Sequence, residues 1–235
     1  MTTAPNDPTM SGIPVETVVV GALSGPEIEA LSLKAARGAG LSWGMAEEAG
    51  FAATWLEVRG MGGAAALLAQ LDLCRESDLA LLAPAIDHRI WRAMGPHLCP
   101  LAVGTTLSDF RGLEQADVTA GPLSIENVAH PLLLLPFVHA LATAIGTAVH
   151  LTSAGGTCAV DPDGTVSGDL SACAERCDLI LSIKAVSLNP ITPPKTPCII
   201  DKDTLRHLQD YAMRTTVPAS DASRAGAGAS TTDND

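Results

Sequence analysis

The run PLLLLPFVHALATAIGTAV, Pro131 to Val149, constrains the chain more than any other stretch, because an apolar segment of this length has two homes, a bilayer or a protein core. Pro136 inside the run, His139 near its middle and Gly146 as a natural stop favour the core. No Lys, Arg, Trp or Tyr stands close to either end to anchor a span at a membrane interface. The run is therefore expected to be a buried central helix in a protein with no membrane partner. The chain is 47 % hydrophobic but only 3 % aromatic, so the core around it must be packed from Ala, Leu, Val and Ile, which suits closely approaching elements.

Ahead of this run the pattern is helical. In SGPE, Ser24 is placed as an N-cap, a proline follows in the first turn, and Glu27 stands three residues after the cap, the capping-box arrangement. Ile28, Leu31 and Ala35 then share a face, Lys34 and Arg37 fall in the last turn where cations suit the helix dipole, and Gly38 ends the helix. Ser42 is placed to cap a second helix through Ala46, Ala49, Ala53 and Leu56, closed by Gly60, and GGAAALLAQLDLC forms a third by propensity. VETVVVGAL is a short strand or an ordered approach to the first helix, and residues 75–128 mix apolar runs with Pro and Gly without a clear period.

After the central run the period changes. TAVHLTS, TCAVDP, TVSGDL and DLILSIKAV alternate or are β-branched, with DPDGT as a hairpin turn, and this predicts an antiparallel meander. DKDTLRHLQDYAMRT predicts a final helix. The expected fold class is α+β: a helical N-terminal head (about 24–74), a central buried helix, an antiparallel β meander (sheet part about 147–190) and a C-terminal helix. These form a single domain over 16–217, between a loose lead-in at 1–15 and a glycine-rich C-terminal segment at 218–235.

A formal net charge of -12, with only 14 Lys and Arg scattered along the chain, excludes nucleic acid as a partner, since that binding runs on phosphate neutralisation. MTTAPNDPTMSGIP has neither a basic nor an apolar leader region, so a cytoplasmic location is expected. The 6 cysteines show no C-x-x-C spacing and read as reduced, mostly buried thiols. The histidines include no H-E-x-x-H and no i, i+4 pair, His139 reads as a hydrogen-bonded core histidine, and no metal or cofactor is assigned.

Chemistry has one visible foothold, KAARGAGLSWGMAEEAG. Its glycines do not make a dinucleotide fingerprint: the third comes one place late and the loop follows a helix instead of a strand. What survives is a helix N-terminus at Trp43 to Ala46 with free amides, and Lys34 or Arg37 facing the same corner, which would make a small anion site. The plain alternative is that Glu47 and Glu48 favour the positive end of the helix dipole while Trp43 fills the core between the two helices. The ending ASDASRAGAGASTTDND is either a solvated tail or an anion nest around Arg224, with Asp233 and Asp235 near a metal or amine.

ALSLKAARGAGLSWGMAEEAG, HPLLLLPFVHALA and VPASDASRAGAGASTTDND together resemble bacterial proteins grouped as domain-of-unknown-function family 3726, and the triplet Gly38 to Gly40 looks like that family's hallmark. The resemblance implies a bacterial cytosolic protein, gives weight to an ordered tail, and implies no particular reaction. The expectation that follows is a protein that binds or turns over a small anionic metabolite. Arg37, Lys34 and Arg224 would neutralise it, amides at Gly38, Gly40, Trp43, Gly226 and Gly228 would cradle it, and Glu47 or Glu48 would serve as general acid or base. The alternative is a non-catalytic accessory or assembly protein whose helices pair with a partner subunit or a second copy.

Overall fold

The computed structural model describes residues 23–75, 77–174, 176–183, 188–192 and 199–215. The head consists of α1 (Gly25–Gly38), α2 (Trp43–Glu57) and α3 (Gly63–Cys74). The two sequence-visible N-termini form locally. Glu27 accepts from the Ser24 amide at 2.8 Å and from its hydroxyl at 2.7 Å, and Ser42 accepts from the Met45 amide at 3.3 Å. The third helix has a side-chain-free Gly62 at its N-cap, and its Ala64 amide instead donates at 2.8 Å to the buried carboxylate of Glu57 at the end of α2.

The head packs closely because backbone meets backbone. A Cβ on Gly63 would lie 2.0 Å from the Ala53 carbonyl oxygen. On Gly38 it would lie 1.8 Å from the Tyr211 carbonyl oxygen in the C-terminal helix α6 (Lys202–Met213). Gly38 is thus the last helical residue of α1 and a contact point for α6; the left-handed turn that ends the corner falls on Gly40, at φ +100°. Tyr211 completes the docking of α6 by donating its hydroxyl to Asp72 of α3 at 2.6 Å.

The remainder is α+β, as the period change predicts, with three differences in detail. The central apolar run is helical only over α5 (Leu135–Ile145): a 3₁₀ turn, Pro131–Leu134, precedes it, Gly146 ends it at φ 73°, and Val149 already begins β4. Pro136 sits in the first turn, where its missing N–H is harmless, and so marks the start of the helix. Residues 75–128 supply β1 (Pro84–Ala85), β2 (Ile90–Ala93), α4 (Pro100–Phe110) and β3 (Leu123–Val128), three of the sheet's strands. Finally, β4 (Val149–Ser153), β5 (Gly156–Val160) and β6 (Val166–Gly168) form a meander, but β7 (Cys177–Ser182) does not extend it.

Instead β7 lies between β3 and β4, antiparallel to both, in the order β1-β2-β3-β7-β4-β5-β6. The β2–β3 pair is parallel and the other ladders are antiparallel. One sheet face, with Leu123, Ile125, Leu151, Leu179 and Leu181, is buried in a cluster continuous with Leu56, Leu67, Leu101 and Val138 of the helices. Among the described residues no helix is long and apolar enough to cross a membrane. VETVVVGAL lies almost wholly outside the described residues, as do the lead-in 1–15 and the segment 218–235.

Candidate functional site

The corner between α1 and α2 gathers part of the predicted anion site. The Arg37 guanidinium stacks on the Trp43 ring, 4.7 Å from its centroid, and donates to the Leu41 carbonyl, so it closes the turn it belongs to. Trp43 is 65 % exposed and does not fill the space between the helices. Lys34 and Glu47 are exposed, and Gly38 faces α6. Glu48 is half-buried, and burial together with the nearby carboxylates of Asp109 and Glu47 pushes its carboxyl above the ordinary range. A cleft of about 340 Å³ borders the start of α2 through Ser42 and Met45, with Cys99, Ala102 and Thr105 opposite; Lys34, Arg37, Trp43, Glu47 and Glu48 do not line it. Arg224, Gly226 and Gly228 lie outside the described residues, so the meeting of the two GAG triplets does too.

A larger cleft, of about 590 Å³, opens at the other end of α2, where the head meets the β5–β6 turn. Arg59 stands at its wall, stacked on Trp55 at 3.8 Å from the ring centroid and donating one N–H to the Trp55 carbonyl at 3.1 Å. Trp55 in turn donates its indole N–H to His139 Nδ1 at 3.2 Å. That bond makes Nδ1 the acceptor, leaving His139 Nε2 to donate to the Pro162 carbonyl at 3.3 Å. His139 is thus hydrogen-bonded as the sequence suggests, but half-buried at the edge of the core, where it ties α5 to the turn.

The turn itself is the hairpin read from DPDGT. The Gly164 amide donates to the Asp161 carbonyl at 2.9 Å, and Gly164 adopts φ +85°. The left-handed backbone favours glycine there, and a Cβ would stand 3.0 Å from Arg59 Nη2 and 3.3 Å from His139 Nε2, so both side chains pack closely over the turn. Asp163 at the rim accepts from the Thr165 amide at 2.9 Å, which holds its carboxyl below the usual range. Thr165 and Thr192 add hydroxyls to the lining, and Met61, Val166 and Ile191 add apolar surface.

Electrostatically the cleft is asymmetric. Arg59 is partly desolvated, which lowers its pKa, and among the described residues no carboxylate lies within ion-pair distance of it. A desolvated cation with unused N–H groups gains more from an incoming anion than a solvated one does. The volume lies within the range of small-molecule sites, and the mix of one cation, a few hydroxyls and apolar walls is their usual lining. Sequence reasoning missed Arg59 because the rest of its cleft comes from the β5–β6 turn and from Pro190 to Thr192, over a hundred residues away; "WLEVRG" signalled only a helix end.

Among the described residues no group of three or more His, Cys, Asp or Glu side chains is arranged to hold a metal ion. A search of curated proteins finds no match to the chain. A family model does match, over residues 23–95, which takes in the first of the three stretches that carry the resemblance and leaves out the central helix and the ending. Across α1 to β2, less than a third of its length, the chain is similar to the family described as Protein of unknown function (DUF3726).

Proposed function

We propose that this chain, read as a bacterial cytosolic protein, binds a small anionic metabolite in the cleft between the end of α2 and the β5–β6 turn. The observation that supports this reading most is Arg59: a partly desolvated guanidinium, stacked on Trp55 and with no carboxylate within ion-pair distance among the described residues, at the wall of a cleft of about 590 Å³. Its remaining N–H groups take the anion, Thr165 and Thr192 supply neutral hydrogen bonds, and Asp163 at the rim accepts from a hydroxyl or amine of the same ligand. The apolar walls favour a carboxylate or phosphate ester with an aliphatic portion over an inorganic ion. The corner at Lys34, Arg37 and Trp43, with Glu47 and Glu48, stands as a second location for the same ligand class.

Thermal-shift measurements with a panel of small carboxylates and phosphate esters test this, on the wild type, Arg59→Gln and Arg37→Gln. A ligand present at a hundred times its dissociation constant stabilises by about 2.7 kcal/mol. The expected result is a ligand-induced shift that Arg59→Gln abolishes and Arg37→Gln retains. The reverse pattern moves the site to the corner of the head, and equal shifts in all three proteins reject both locations.

The second reading, an accessory protein that pairs with a partner subunit or a second copy, draws on Ile90 and Ile180. They stand 48 % and 46 % exposed on either side of Ser124 on the sheet's outer face. Light scattering separates the two: a monomer at micromolar concentration removes self-pairing.

A further inference from the structure

Beneath the 3₁₀ turn Leu170–Cys173, two free thiols meet away from the Arg59 cleft. Cys158 on β5 is fully buried, Cys173 is 2 % exposed, and their sulfurs are 3.7 Å apart. The contact follows from the local fold. Gly155 lets the turn press on the β4–β5 hairpin, since a Cβ there would lie 2.5 Å from the Ser171 carbonyl oxygen, and Ser171 Oγ donates to the Gly155 carbonyl at 2.7 Å. The Asp169 amide donates to the Thr157 carbonyl at 3.0 Å and fixes the turn's approach.

The pair is not sealed on its outer side. Cys173 lines a cleft of about 420 Å³ with Gly62, Ala66, His130, Leu132 and Ser171. His130 holds a left-handed backbone at φ 44°, a conformation that costs a non-glycine residue free energy and that places it at this cleft.

We propose that Cys158 and Cys173 form a redox-active dithiol whose substrate is a small hydroperoxide entering through the His130 cleft. The sulfur of Cys173 attacks one peroxide oxygen. The O–O bond breaks, the departing oxygen leaves with a proton as water, and Cys173 carries a sulfenic acid. The sulfur of Cys158 then forms the S–S bond and expels the sulfenic oxygen as a second water, so two thiols lose two electrons and one hydrogen peroxide becomes two waters. The contact holds the Cys158 thiol below its ordinary range and, with burial, raises that of Cys173, so the first proton leaves Cys158 and the Cys173 proton crosses the 3.7 Å contact to Cys158 as Cys173 attacks. From 3.7 Å to a bond of about 2.05 Å the sulfurs close by side-chain rotation and a small shift of the surface turn.

A second close thiol pair provides an internal comparison. Cys74 and Cys99 receive the Gln70 amide at 3.2 and 3.6 Å, and they join two helix ends instead of a strand and a surface turn. The folded full-length chain is treated with stoichiometric hydrogen peroxide, quenched, denatured and alkylated. Intact mass is expected to fall from 6 labels to four. Cleavage before aspartate, with Asp161 and Asp169 lying between the two cysteines, should then yield the Cys158 peptide joined to the 169–177 peptide with the label on Cys177 and none on Cys173, and reduction should separate them. Cys173→Ser should retain all its remaining thiols under the same treatment. Six labels after treatment of a chain that still melts like the untreated one overturns the proposal. So does a bridge between Cys74 and Cys99 or between Cys173 and Cys177, or sulfinic acid on Cys173 without a bridge.

Discussion

Replacing Gly38 with alanine sets two effects against each other, and the structure decides which wins. As the last residue of α1, alanine should gain up to about 1 kcal/mol in helix propensity. Its Cβ, however, would lie 1.8 Å from the Tyr211 carbonyl oxygen, and real Cβ contacts are essentially never under 3.0 Å, so α1 and α6 must separate by about 1.2 Å. The obstacle is backbone, which cannot rotate away. Such overpacking costs about 1–3 kcal/mol. The same displacement stretches the 2.6 Å bond from Tyr211 to Asp72, a hydrogen bond to a carboxylate worth about 1.5–3 kcal/mol. The net expectation is a loss of about 2–4 kcal/mol, read as a fall of roughly 5–15 °C in melting temperature for a chain of this size. Gly44→Ala is the control, because nothing lies within 4 Å of its Cβ position in the first turn of α2, and it should leave stability unchanged or raise it. Urea unfolding of the three proteins checks the reasoning, and a Gly38→Ala chain as stable as wild type would refute it.

Two further outcomes follow from the same helices. Glu57→Ala leaves the Ala64 amide of α3 without its acceptor and should destabilise by about 1–3 kcal/mol, whereas Glu57→Gln keeps an oxygen there and should recover most of the loss; equal stability of both variants in denaturant would remove Glu57 as the cap. Tyr211 is the chain's 1 tyrosine, and burial and the Asp72 carboxylate raise its pKa from 10.0 to about 12. Because the folded value is the higher one, its contribution is intact below pH 10 and declines as pH rises towards 12. The stability difference between wild type and Tyr211→Phe should therefore shrink across that window, and the phenolate absorbance of the native chain should titrate later than that of the unfolded one.

What the sequence made legible is what is local. Ser24 with Glu27, Ser42 with Met45, Asp201 at the start of α6 and the turn at Asp161 to Gly164 are settled by residues within a few positions of one another, and each forms as read. The glycines of the GAG corner show where that reach ends. Gly40 serves a local turn, but the need for glycine at position 38 is set by Tyr211, and the cap of α3 comes from Glu57 in the preceding helix. Four β-like runs in succession read as a meander because hairpins are the shortest connection; β7 departs from it because its alternating Leu179 and Leu181 complete the buried face between Ile125 and Leu151. The Arg59 cleft was hidden for the same reason, since its walls belong to elements that meet only in the folded chain.

The position of β7 also orders events while the chain is being made. Until Cys177–Ser182 has emerged from the ribosome, β1 to β3 and β4 to β6 are two separate ribbons, and the edges of β3 and β4 that will face β7 are both open. A nascent chain that stalls before this point presents two unpaired edges to its neighbours, with Leu123, Ile125 and Leu151 behind them. The six residues of β7 act as a late seam, and synthesis through Ser182 is the step at which the two inner edges close and only β1 and β6 remain at the rims of the sheet.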